Sequence, residues 1–253
     1  MSSDANKEIK LDTKENTYII DDKSSEMSST IQFAIMFLSN LTKVEEGCKN
    51  VLGKDKQEGA VLENLFGMFS YFDRNQVFDF VANILSNVTS IKEARVFMIK
   101  SKMFDRILDL LKTQGEKMGK HRRQHLIDAA RNTIFEYEDF EKEFIEMKIV
   151  DKYVKLLIEE QGMTDKRLPI RLHNIQAAKE KKANEIDHYR TGQLVDCLVI
   201  LSNLMTLQVR MVELDVEGLL KYVKVAAFGE TPQKIEVLLI QLQQTRQENS
   251  HLQ

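Results

Sequence analysis

A short polar signature closes apolar stretches of this chain again and again. Leu38-Ser39-Asn40-Leu41 recurs as Leu85-Ser86-Asn87-Val88 and as Leu201-Ser202-Asn203-Leu204. Ala130-Arg131-Asn132-Thr133 is a weaker fourth copy, recognisable by the apolar block downstream of it. Successive Asn positions stand about 47, 45 and 71 residues apart, and the first two intervals fall near the period of stacked helical repeats. A unit of that size cannot bury its apolar faces alone, so copies must stack.

The stretches between these signatures carry helical periodicity. Val77, Phe78, Val81, Ile84, Leu85 and Val88 form one amphipathic stripe, and Val61, Leu62, Leu65, Phe66 and Phe69 form another. A second kind of block comes after the Asn signatures: Met103 to Leu111, Ile149 to Leu157, and Val216 to Val223. No segment alternates with period two, so no strands are expected. Only 2 Pro and 10 Gly interrupt the chain, while 30% of residues are charged, which suits long solvent-faced helices.

These observations predict an all-α fold, an armadillo/HEAT-like right-handed superhelix of stacked helical repeats (an α-solenoid). Residues 1–25 read as a flexible polar leader and 26–162 as the repeats. The long third interval places a charged inserted loop at 163–190, with 191–253 as a C-terminal helical repeat or cap. The insertion holds Pro169, Arg171 and the run Lys179-Glu180-Lys181-Lys182, and is expected to form a loop with a short helix across the array. It is either a contact element or a plain surface loop.

Several function classes find no footing. The net charge of -3 offers no general attraction to a phosphate backbone. There is no Gly-rich phosphate loop, Cys-x-x-Cys or His-Glu-x-x-His, so no enzyme, cofactor or metal is expected. His121 and His125 share a helix face, but Arg122 and Arg123 beside them would repel a cation. Cys48 and Cys197 read as reduced packing residues. No apolar run is long enough to cross a bilayer and the first ten residues lack a signal-peptide core, which points to the cytoplasm.

Protein contact remains, and four sets of residues could make it. Asn40, Asn87, Asn132 and Asn203 either satisfy neighbouring backbone or form a ladder of amides for an extended partner. In armadillo proteins that carry nuclear-import cargo, a Trp precedes each ladder Asn by one helical turn. Here Met36, Asn83, Asp128 and Val199 stand there and the chain has no Trp, so that cargo groove is excluded. Lys117, Lys120, His121, Arg122 and Arg123 form the densest basic cluster, open to an acidic protein, to RNA, or to solvent alone. Arg171, Lys179, Lys181 and Lys182 form a third set. The acidic stretch from Glu136 to Glu143 around Tyr137 and Phe140 is a fourth, either a contact face or solvated surface.

The order of the blocks resembles the eukaryotic Hgh-one homologue family over roughly residues 28–245. Phe37 to Thr42 followed by Glu45-Glu46-Gly47-Cys48 carries the resemblance first, and Ile84 to Thr89 second. Ala130 to Phe135 resembles the family's Arg-Asn-Cys-Cys-Phe segment with both Cys replaced, and leads into Phe144-Ile145 and the Ile149 block. Leu168-Pro169-Ile170-Arg171-Leu172 before a Lys-rich segment, then Leu194 to Leu204 and Leu219 to Val223, complete it. Polar helix faces near both ends favour a monomer, and the resemblance implies a non-catalytic co-chaperone. Such a protein binds nascent elongation factor two and links it to the cytosolic chaperonin and Hsp ninety. The alternatives are a generic armadillo scaffold for another protein or, more weakly, an RNA-binding protein using the 117–123 cluster.

Overall fold

The computed structural model describes residues 10–12, 17–19, 29–71, 78–114, 118–162 and 187–250. The chain is all-α in its described bulk, with one local exception. Within the expected leader, β1 (Lys10–Asp12) pairs antiparallel with β2 (Thr17–Ile19), Leu11 opposite Tyr18. Three-residue strands are too short for alternation to register in sequence, so period-two patterning does not reveal them.

Thirteen helices make up the rest of the described chain: α1 (Ser29–Leu41), α2 (Glu45–Leu52), α3 (Ala60–Tyr71), α4 (Asp79–Val88), α5 (Lys92–Lys100), α6 (Met103–Gln114), α7 (Lys120–Thr133), α8 (Glu141–Glu146), α9 (Ile149–Glu160), α10 (His188–Leu201), α11 (Met205–Glu213), α12 (Val216–Ala226) and α13 (Thr231–Ser250). After α1 they fall into triads. The first helix of each is short, the second carries one of the apolar blocks, and in three of the four triads the third ends in an Asn signature.

A recurring corner explains the triads. Lys102, Lys148 and Asp215, each immediately before the second helix, have φ of 59°, 53° and 51°. One left-handed residue turns the chain sharply enough that no loop is needed between the helices. The first triad turns over a longer path, Gly53 to Gly59, with a 3₁₀ turn at Asp55–Gln57. Gly59 has φ of 74°, and a Cβ there would sit 1.8 Å from the Phe97 ring, so only glycine fits both demands.

Third helices pack on third helices. α1 contacts α4, α4 contacts α7, α7 contacts α10 and α10 contacts α13, so the five form one row. The core runs continuously beside it through Leu62, Phe69, Ile84, Phe104, Leu126, Phe144, Tyr153, Leu194, Leu220 and Leu238. Phe104 meets Phe144 edge-on at 5.8 Å between centroids, joining the second triad to the third. Away from the row, the second helices are linked by ion pairs. Arg106 reaches Glu63 at 2.6 Å, Lys152 reaches Asp105, and Arg210 of α11 reaches Asp151 at 2.6 Å.

The inserted segment is narrower than its sequence boundaries. His188, Tyr189 and Arg190 belong to α10, capped by Asp187, whose carboxylate accepts the Arg190 N–H at 3.0 Å. Residues 163–186, with Arg171, Lys179, Lys181, Lys182 and the expected short helix, lie outside the described residues. Among the described residues no helix is long and apolar enough to cross a membrane.

Candidate functional site

The row α1–α4–α7–α10–α13 is where most of the candidate residues meet, and its polar side chains are largely occupied with one another. Asn87 donates through Nδ2 to Thr42 Oγ1 at 3.1 Å and to the Ser39 carbonyl at 3.4 Å. Asn132 repeats this on the next helix, donating to Thr89 Oγ1 at 3.1 Å and the Ser86 carbonyl at 3.5 Å. In both cases the threonine hydroxyl is itself turned by donating to that same serine carbonyl, which leaves its lone pairs for the amide. Asn87 and Asn132 thus stitch each third helix to the one before it.

The end members behave differently. Asn40 is exposed and accepts from Lys43 Nζ at 2.8 Å. Asn203 is also exposed and donates to Ile200 O at the end of α10 at 3.0 Å. The reason is visible in sequence. A threonine stands two residues after Asn40 and after Asn87, ready to receive the following amide, whereas Ile134 occupies that place after Asn132.

A second chain of polar contacts runs through the positions where import-type proteins place Trp. Ser39 Oγ donates to Asn83 Oδ1 at 3.0 Å, and Asn87 Nδ2 donates to the same oxygen at 2.9 Å. Two donors on Oδ1 fix the Asn83 amide, so its Nδ2 donates to His125 Nε2 at 3.3 Å. His125 is thereby held neutral with its proton on Nδ1. Burial, aided by the charge of His121, lowers its pKa against the pull of Asp128. Among the described residues no three His, Cys, Asp or Glu side chains are placed to hold a metal.

The basic cluster comes apart. Arg122 and Arg123 are 3% and 6% exposed, not surface residues. Arg122 donates to Asp79 Oδ1 at 2.9 Å and lies over the Phe69 ring at 5.0 Å. Arg123 donates to Glu160 Oε2 at 3.1 Å, and Arg190 binds the other oxygen of Glu160 at 2.7 Å. Asp187 then joins Arg190 at 3.1 Å and Lys120 at 3.3 Å. Burial would raise the Asp187 pKa, but the Arg190 N–H and the charges of Arg190 and Lys120 overcome it and hold the carboxyl low. Lys120 and His121 alone remain as exposed cluster members among the described residues. Two adjacent arginines look like surface in sequence because their partners lie 43 and 37 residues away.

The acidic stretch is divided too. Glu136 is buried and accepts from Arg95 Nε at 2.7 Å, and Phe140 is buried, while Glu138, Asp139 and Glu143 face solvent. Cys48 and Cys197 are buried and free, and burial pushes both thiols up.

What the row leaves open is aromatic and apolar. Phe33 and Phe37 of α1 are 70% and 67% exposed, Phe80 of α4 is 38% exposed, and Tyr189 of α10 is 59% exposed. Phe135, just beyond α7, is half exposed under the Arg131 guanidinium at 5.4 Å. Farther along, Arg131 and Lys234 share Asp196 at 3.1 and 2.7 Å, tying α7, α10 and α13 together. None of these aromatics carries a motif; in sequence only Phe33 and Phe80 are marked, by their spacing from the Asn signatures. Phe33, Phe80 and His125 each stand seven residues before an Asn.

Comparison with known proteins places this architecture in one family. No curated protein and no solved structure matched the chain. A family profile described as "Domain of unknown function (DUF383)" matches residues 20–187, from before α1 to the Asp187 cap of α10. Covering well over half of the sequence, that match shows that the chain belongs to the DUF383 family.

Proposed function

We propose that this protein is a non-catalytic protein-binding adaptor, built as an armadillo-type right-handed α-solenoid. Its row of third helices would be the concave, partner-facing side. The observation that carries the proposal is the division of labour on that row. The amides of Asn87 and Asn132 are consumed in stacking, while Phe33, Phe37, Phe80 and Tyr189 stay open to solvent. Adjacent exposed aromatics on a rigid scaffold favour a protein ligand, since they supply contact area at low entropic cost.

The specific form of the proposal rests on the resemblance to the Hgh-one homologue family. It is a cytoplasmic, monomeric co-chaperone that binds nascent elongation factor two and links it to the cytosolic chaperonin and Hsp ninety. Affinity capture from cytosol at native expression should recover elongation factor two together with chaperonin subunits. Depletion should lower the soluble fraction of the factor. Capture of unrelated proteins only, with elongation factor two fully soluble after depletion, would replace this reading with a generic armadillo scaffold. RNA binding loses its support, because Arg122 and Arg123 are committed to Asp79 and Glu160.

A further inference from the structure

The row has an open end at α1. On α4 and α7 the signature Asn faces the helix before it. Asn87 bonds Thr42 and the Ser39 carbonyl, and Asn132 bonds Thr89 and the Ser86 carbonyl. Ser39 meets Asn83 while Thr42 meets Asn87, so α1 and α4 run parallel.

α1 carries the same signature on the same side. Asn40 stands where Asn87 and Asn132 do, preceded by Phe33, Met36 and Phe37 at seven, four and three residues, which is one face of a helix. The side of α1 that meets α4 is a different one, with Ile35 and Ser39 buried and Ser39 donating to Asn83 at 3.0 Å. Three residues before the Asn, Ile84 and Ala129 are fully buried, whereas Phe37 is 67% exposed. Asn40 accepts from Lys43 through Oδ1, but its Nδ2, the atom that Asn87 and Asn132 use, has no partner among the described residues. An end helix of a stacked array stays soluble by carrying a polar outer face, and the sequence leads one to expect it here. α1 instead has no Asp, Glu, Lys or Arg in its 13 residues, and leaves Phe33, Met36 and Phe37 open.

Resting on the reading of this protein as a protein-binding adaptor, we infer that the outer face of α1 docks one helix of a partner protein. That helix lies parallel to α1 and extends the row by one member. The two internal steps define it chemically. Its last turn carries a Thr or Ser hydroxyl that accepts from Asn40 Nδ2, as Thr42 and Thr89 accept from Asn87 and Asn132. Three residues before that hydroxyl, where Ser39 meets Asn83, it carries an apolar residue, because Met36 replaces the amide. Its contact face is aliphatic and uncharged, since a charge laid on Phe33 and Phe37 loses water without gaining a counter-ion. α1 and α4 of a second copy are unsuited, because the Thr42 and Thr89 hydroxyls are already engaged.

A phage-displayed library of Ala-rich helices about 16 residues long, randomised along one face, tests this on the full-length protein. Selected peptides are then synthesised with a fluorescein label and titrated. The expected result is enrichment of an apolar-x-x-Thr or apolar-x-x-Ser end on an otherwise uncharged face. Phe37→Asp should weaken binding more than about tenfold and Asn40→Ala about fivefold, with thermal unfolding unchanged because both side chains are exposed in the free protein. Replacing the peptide Thr by Val should cost about fivefold on the parent and nothing on Asn40→Ala. Equal losses on both proteins, or peptides indifferent to Phe37, would overturn the inference. So would a full-length protein that sediments as a dimer and becomes a monomer in Phe37→Asp, since the face would then be a self-interface. Peptides that ignore Phe37 and Asn40 but lose affinity in Phe80→Ser or Tyr189→Ala overturn the α1 site and leave the adaptor reading standing. No enrichment overturns the α1 site, and the adaptor reading then stands or falls by affinity capture.

Discussion

The Asn87 amide rests on the Thr42 hydroxyl, 45 residues back in the chain and 3.1 Å away in space. Asn132 and Thr89 repeat the relationship one helix further on. The same two residue types therefore fix the same step of the stack twice, and their removal has a defined cost.

Asn87→Ala and Thr42→Val should each lower stability by about 1–2 kcal/mol, with a coupling of about 0.5–1.5 kcal/mol in a double-mutant cycle. Asn203→Ala, which loses only a local bond to the end of α10, should fall within about 0.5 kcal/mol of the parent. Urea denaturation of the four variants checks this. Equal losses at Asn87 and Asn203 would show that the inter-helix bond carries nothing.

Glu160 holds two guanidiniums, those of Arg123 and Arg190, at 3% exposure. Glu160→Ala leaves Arg123 buried without its anion and Arg190 with Asp187 alone, and should cost about 3–5 kcal/mol. Lys120→Ala at the exposed edge of the same cluster should cost under about 1 kcal/mol. Guanidinium denaturation separates the two outcomes.

His125 gives the stability a pH dependence of known sign. Its folded pKa lies below the ordinary 6.5, so the unfolded chain binds the proton first as pH falls. The contribution is complete above about pH 6.5 and declines as pH drops from there toward the folded value. Protonation would also set an Nε2 proton against the Asn83 amide protons. Urea midpoints at pH 7.5 and 5.5 should differ less in His125→Gln than in the parent, and an NMR titration of His125 should show the lowered pKa directly.

Two corner substitutions should act in opposite directions. Gly59→Ala forces a side chain into φ of 74° and against the Phe97 ring, a loss of about 2–4 kcal/mol. Lys148→Gly relieves a left-handed non-glycine residue and should stabilise by up to about 1 kcal/mol. Thermal melts of both variants check the signs.

Much of this fold is legible in the chain because burial repeats. The Met103, Ile149 and Val216 blocks form second helices, and the Asn signatures form the ends of third helices, since both depend on local periodicity. The corners are not legible. Lys102, Lys148 and Asp215 share a backbone conformation but no residue type that demands it. Arg122 and Arg123 mislead for a different reason, since a charge reads as exposed unless its partner is known. Asp79 and Glu160 become neighbours only after the helices stack. On the row, Asn83 is marked in sequence only as a position without Trp, and its bond to His125 exists only once α4 and α7 stack.

The ion cluster around Glu160 has a consequence for how the protein can be divided. Arg123, Glu160, Arg190, Asp187 and Lys120 grip the chain on both sides of residues 163–186, and Gln161 adds a bond to Thr191 at 3.0 Å. Cleavage within that interval would leave two pieces still joined by buried charge and by the α9–α10 and α7–α10 contacts. The helices on either side of that interval are thus held in register by their own buried charges and packing, and not by the covalent connection alone.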